Sequence, residues 1–152
     1  MRFISKKDFR NLVTGLISEM TLYGPVKKHG HPAYAEITEF DELSPGMTPT
    51  HLSAKEFLFP PKETLLEFDM EKKEVSPIIQ SKKQAIIGLH SCDIHAIRLM
   101  DAVFSSATKD PNYLARRENT IIIGTECLPD EYCFCKSIGA MTVESGFDIF
   151  LH

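Results

Sequence analysis

Two short continuous apolar runs, Ala85-Ile86-Ile87-Gly88-Leu89 and Thr120-Ile121-Ile122-Ile123-Gly124, constrain this chain more than any other feature. Runs of this length, rich in β-branched residues and bounded by polar segments, read as strands buried on both faces. Between them Ile94, Ile97, Met100, Val103 and Phe104 recur at helical spacing. Strand, helix and strand make a βαβ unit, which requires parallel neighbouring strands and a right-handed crossover. The predicted fold class is therefore α/β: a small, mostly parallel sheet with flanking helices.

That unit decides where the cysteines go. The chain has four, Cys92, Cys127, Cys133 and Cys135. Cys92 lies three residues beyond the first strand and Cys127 three beyond Gly124. Parallel strands point their carboxyl ends to one edge, where open α/β sheets form ligand crevices, so two cysteines 35 positions apart become neighbours. Cys133 and Cys135 belong to the loop that starts at Cys127, and Cys-Phe-Cys lets that loop curl around an object a few ångströms across. Four thiolates at one crevice suit an iron–sulfur cluster or a tetrahedral zinc ion. The paired Cys-x₂₋₄-Cys knuckles usual in structural zinc sites are missing, which favours a cluster. A start-of-helix position exposes Cys92 to unpaired N–H groups and the positive end of the helix dipole, so its thiol pKa is expected to be lowered. His90 and His95 flank Cys92 as alternative ligands, with His95 read instead as a hydrogen-bonding or packing residue. Against the metal reading stands the ordinary one, in which cysteines are buried packing residues. Disulfides do not suit a reducing compartment, and a thiol oxidoreductase lacks its usual Cys-x-x-Cys.

The rest of the chain supplies a frame. Phe9, Leu12, Val13, Leu16, Ile17 and Met20 have amphipathic spacing, with Ser5 and Asp8 offering caps, so a helix spans residues 6–20 and is broken off at Gly24-Pro25. Alternation predicts a strand over Ala33–Phe40. Residues 44–61 hold four of nine prolines and read as a long ordered loop with one helical turn near Ser53–Phe57. Thr64–Phe68 reads as a strand, EKKEV and SKKQ as charged turns, and LARREN as a short helical piece whose Arg116 and Arg117 form a solvated face or meet an acidic partner or phosphate. Asp93, Arg98 and Asp101 near the crevice either tune a cofactor or form solvated helix surface. Phe147–Leu151 offers a last strand. The expected organisation is one α/β domain over 1–152, with the helix, strands and proline-rich loop in 1–80 and the cysteine-bearing βαβ unit in 81–152.

Several function classes are disfavoured. A net charge of −4 with scattered Lys and Arg leaves no basic stripe for nucleic acid. No stretch reaches the ~18 apolar residues of a membrane span, and the start of the chain lacks a signal-peptide core, so a cytoplasmic location is expected. Neither a nucleotide-binding glycine pattern nor a hydrolytic triad or metalloprotease pattern is present.

The segments GLHSCDIHAIRLMDAVF, DPNYLARRENTIIIGTEC, CFCKSIG and GFDIFL, preceded by LSAKEFLFPPKETLLEF, resemble the N-terminal region of a family of iron–sulfur electron-transfer proteins, that of the sulfhydrogenase β subunit and its counterpart in anaerobic sulfite reductase. The resemblance covers roughly residues 50–151. It implies a cluster, [4Fe–4S] in preference to [2Fe–2S], at Cys92, Cys127, Cys133 and Cys135. It also implies a non-catalytic role: relaying electrons between a flavin, NAD(P)H or ferredoxin partner and a catalytic subunit such as a hydrogenase or sulfite reductase. The alternative is a structural zinc-binding or metal-free interaction domain of such a complex. Family members continue into a ferredoxin-like module with two Cys-x₂-Cys-x₂-Cys-x₃-Cys runs. This sequence contains none, so only the matching cysteines carry the expectation over.

Overall fold

The structure is a computed structural model that describes residues 4–28, 30–44, 49–50 and 52–152. Helix α1, Lys6–Glu19, starts where Ser5 Oγ accepts the Asp8 N–H at 3.1 Å, and the N–H of Met20 closes its end on the Leu16 carbonyl. Strand β1, Thr21–Lys28, follows at once and pairs antiparallel with β2, His31–Ile37.

Gly24 and Pro25 lie inside β1, so the expected helix stop there is incorrect; the helix ends at Glu19. Two facts let a strand hold this dipeptide. A Cβ on Gly24 would stand 2.7 Å from both Ile37 Cδ1 and Ile87 Cγ2, so only glycine fits that crowded position. The parallel ladder from β1 to β5, Gln84–Leu89, covers only Thr21–Tyr23, and Pro25 lies beyond it, where a missing N–H breaks no ladder bond to β5. The strand expected at 33–40 is β2, displaced toward the N-terminus; Phe40–Glu42 is a short 3-10 turn instead.

The proline-rich stretch carries the expected turn at Ala54–Phe57, with the Ser53 hydroxyl accepting from the Lys55 N–H; positions 45–48 and 51 of it lie outside the described residues. Beyond it β3, Leu66–Asp69, and β4, Glu74–Pro77, form a separate antiparallel ribbon. The βαβ unit then appears as read: β5, helix α2 over Ser91–Phe104, helix α3 over Pro111–Glu118, and β6 over Thr120–Thr125. A last short strand, β7 at Ile149–Leu151, pairs parallel with β6. The sheet runs β2-β1-β5-β6-β7, parallel throughout except for the β1–β2 pair.

Alternation in the central strands fills both faces. Ile86, Leu89 and Ile122 join Ile94, Ile97 and Tyr113 of α2 and α3 with Ala54 and Leu58 of the proline-rich segment. Ala85, Ile87 and Ile123 join Val13 of α1 with Leu22 and Ile37. Helices therefore cover both faces, which is why β5 is buried along its whole length.

Arg116 and Arg117 do not form a solvated turn. Arg116 is buried; its guanidinium grips Glu63 at 2.6 and 3.1 Å and its Nε–H donates to the Leu58 carbonyl at 2.7 Å. Arg117 pairs with Asp101, which also accepts from the Tyr113 hydroxyl.

Candidate metal centre at the carboxyl edge of the sheet

Strand β5 stops at a kink. Gly88 adopts φ +84, and the pairing register with β6 shifts between Ile87 and Leu89. A Cβ on Gly88 would meet Pro25 Cδ at 2.8 Å in addition to the backbone strain. Its carbonyl accepts the Tyr34 hydroxyl at 2.8 Å, which ties β2 to this corner. The chain then turns through His90, the N-cap residue, and Cys92 enters the first turn of α2.

The second arm begins where β6 ends. Cys127 leaves the sheet on the same edge, and the loop turns at Asp130, whose carbonyl accepts the Cys133 N–H at 3.2 Å and whose carboxylate accepts the Tyr132 N–H at 2.9 Å. The Cys135 carbonyl accepts the Ala140 N–H at 2.8 Å, closing a second turn. Farther on, His95 Nε2–H of α2 donates to the Thr142 carbonyl at 2.8 Å. This bond pins the segment after the cysteines to the helix that bears Cys92, the hydrogen-bonding role expected for His95.

All four cysteines are free thiols, each partly buried. Cys92 hydrogen-bonds with Cys135 and feels the charge of Cys127; Cys127 feels Cys133 and Cys135; Cys133 feels Cys135. The structure thus brings the four predicted residues into one electrostatic neighbourhood. Among the described residues, however, no three of His, Cys, Asp and Glu are assembled so as to hold a metal ion. A cavity of about 290 Å³ opens beside Cys127, lined in part by Ser91, Leu128, Met141, Phe147 and Phe150.

The expected lowering of the Cys92 pKa is not found. Burial first, then Asp93, then Cys135 and Cys127, raise it from 9.0 to about 12. Burial and the neighbouring thiols, followed by Asp93 and Asp130, raise Cys127 to about 11. At Cys133 the largest influence, a backbone hydrogen bond with Asp130, lowers the pKa, but the Asp130 carboxylate, burial and Cys135 outweigh it and the net shift is upward. The pull of the helix end on Cys92 is outweighed by burial, by Asp93 and by the neighbouring thiols Cys135 and Cys127. Thiols held this close ionise together only where a cation or cationic cluster core offsets their charge, so the donor set fits a thiophilic metal group.

Two features of the site escaped sequence reasoning. Asp93 is held by the Ser53 hydroxyl at 3.2 Å, which brings the proline-rich segment to the crevice. His90 is buried with no partner for Nε2. The His-Ser-Cys order at a strand-to-helix turn was the one available signal for the second.

Sulfhydrogenase 2 subunit beta of Pyrococcus furiosus is 44% identical to the chain over 131 residues, 86% of the chain. The chain belongs to the sulfhydrogenase β-subunit family. The likeness is to the N-terminal part of that subunit, and the chain spans 39% of the length of this relative. No family model and no solved structure matches the chain. Among the described residues no helix of this family member is long and apolar enough to cross a membrane.

Proposed function

We propose that the chain is an electron-transfer component of a sulfhydrogenase-like redox complex, and that Cys92, Cys127, Cys133 and Cys135 hold an iron–sulfur cluster, [4Fe–4S] in preference to [2Fe–2S]. The observation that carries the reading is the shared neighbourhood of four free thiols at the carboxyl edge of a parallel sheet, in a chain 44% identical to a sulfhydrogenase β subunit. The bound cluster supplies one-electron chemistry. The protein's part is to fix the four sulfurs: Cys92 on the first turn of α2, Cys127 at the end of β6, and Cys133 and Cys135 on the turns at Asp130 and Ala140. Partial burial limits solvent access to the sulfurs, which with hydrogen bonding sets the potential.

The partners are a flavin, NAD(P)H or ferredoxin donor on one side and a catalytic subunit, such as a hydrogenase or sulfite reductase, on the other. Leu128, Tyr132, Phe134 and Ile138, exposed on the cysteine loop, give such a partner an apolar approach to the ligands. A structural zinc site is the competing reading, and the absence of paired Cys-x₂₋₄-Cys knuckles argues against it. The test is chemical analysis of anaerobically purified protein. Iron and acid-labile sulfide in near-equal amounts, with visible absorption that bleaches on dithionite, are expected. Stoichiometric zinc without iron would overturn the reading.

A further inference from the structure

His90 presents a problem that the four-cysteine reading leaves unsolved. It is 5% exposed, occupies the N-cap position of α2 and makes no side-chain cap hydrogen bond. Its Nε2 is buried without a partner. A buried ring nitrogen gives up its water hydrogen bonds and incurs the full desolvation penalty unless something replaces them, so folded proteins seldom leave one in this state. Among the described residues one other buried side-chain atom shares that condition, Asn112 Oδ1 on α3, which has no cysteine near it in the chain. His90 stands two residues before Cys92, at the turn where β5 delivers the helix to the crevice.

The N-cap is also where a donor has most effect. The first turn of α2 already presents unpaired backbone N–H groups to whatever binds at Cys92, and the imidazole of the N-cap residue is a further side-chain donor at that turn. We propose that His90 is a positioning residue for the metal group: its Nε2–H donates a hydrogen bond to a sulfur of the cluster or of a ligating thiolate. The inference rests on the reading of the four cysteines as cluster ligands and goes beyond it, since His90 does not ligate. A donor to sulfur stabilises the reduced, more negative state over the oxidised one, so His90 raises the reduction potential of the site.

Glutamine and asparagine separate the two ring positions, because the Gln amide nitrogen stands near the place of Nε2 and the Asn nitrogen near that of Nδ1. The experiment reconstitutes the wild-type chain and its His90→Phe, His90→Gln and His90→Asn variants anaerobically with ferrous iron and sulfide. It measures iron content, the midpoint potential, and the shift of the Fe–S Raman bands on transfer to deuterium oxide. A more negative potential and a reduced deuterium shift are expected in His90→Phe and His90→Asn, with both restored toward wild type in His90→Gln. If His90→Phe does not fold, the Gln and Asn variants still decide. Equal potentials and deuterium shifts in all loaded proteins overturn the proposal while leaving the cysteine site intact. Failure of His90→Gln to take up iron while folded also overturns it, because His90 is then a ligand. Absence of iron and sulfide in the wild-type chain removes the cysteine reading itself and the proposal with it.

Discussion

Cys92, Cys127 and Cys133 each have Cys135 within electrostatic reach, whereas Cys133 is not among the groups that shift Cys92. Position along the chain suggests the opposite emphasis, since Cys127 follows a rigid strand and Cys135 sits late in a loop. The turn closed on Ala140 removes that difference by holding Cys135 in place. Cys135→Ser is therefore expected to lower iron affinity at least as much as Cys127→Ser, and by more than the roughly 10–100-fold typical of losing a supporting residue; iron content of the two variants after desalting measures it. The raised thiol pKa values make a second prediction. In the metal-free chain Cys92 and Cys127 titrate near 12 and 11 instead of 9.0. The unfolded chain thus releases these protons first as pH rises. The stability associated with the neutral thiols is fully present below pH 9 and is lost between about pH 9 and 12. Thermal melts of the metal-free chain should decline across that window, and Cys92→Ser should flatten the decline. Binding of metal should release protons and strengthen as pH rises, which calorimetry in buffers of different ionisation enthalpy detects.

At the scale of elements, the chain just after the proline-rich segment is joined to α3 by an ion pair between Glu63 and Arg116. Arg116 and Glu63 have side chains only 10% and 15% exposed, so removing either partner leaves a charge nearly out of water. Arg116→Met or Glu63→Gln is expected to destabilise by about 3–5 kcal/mol. Arg116→Lys should recover little, because an ammonium cannot reproduce the bidentate grip together with the bond to Leu58. Denaturant unfolding of the three variants checks both statements. Nothing local to LARREN announces this pair, since its partners lie 53 and 58 positions away and the sequence window looks like an exposed turn. The βαβ unit was legible for the converse reason: the unbroken apolar runs of β5 and β6 and the helical spacing of Ile94 and Ile97 are properties of short windows. Strand β1 was not, because Gly24 and Pro25 are strong local breakers, and only tertiary context, the close approach of Ile37 and Ile87 to Gly24 and the end of the β5 ladder before Pro25, explains why they stand in a strand.

Across the whole molecule, the two cores lie on the faces of the sheet and include none of the four cysteines. Removing metal by chelation should accordingly leave the far-ultraviolet circular dichroism unchanged and shift the melting temperature modestly. Faster amide exchange should be confined to the cysteine loop and its tie at Thr142. Global unfolding on chelation, the behaviour of small zinc modules, would contradict this placement. The gathering of the cysteines at one edge was legible because parallel strands share that edge, an inference about topology; the upward shift of the Cys92 and Cys127 pKa values was not, because it depends on burial, on Asp93 and on thiols distant in the chain. The crossover that unites the site also sets a time order. Cys92 and Cys127 meet only after β5 and β6 have registered across an intervening pair of helices, a non-local closure that forms late compared with helix formation. During synthesis Cys92 emerges well before its partners, and a nascent chain cannot hold the group that four sulfurs share. For the cluster proposed above, assembly is therefore a step that follows folding, and iron and sulfide would be delivered only to a finished sheet.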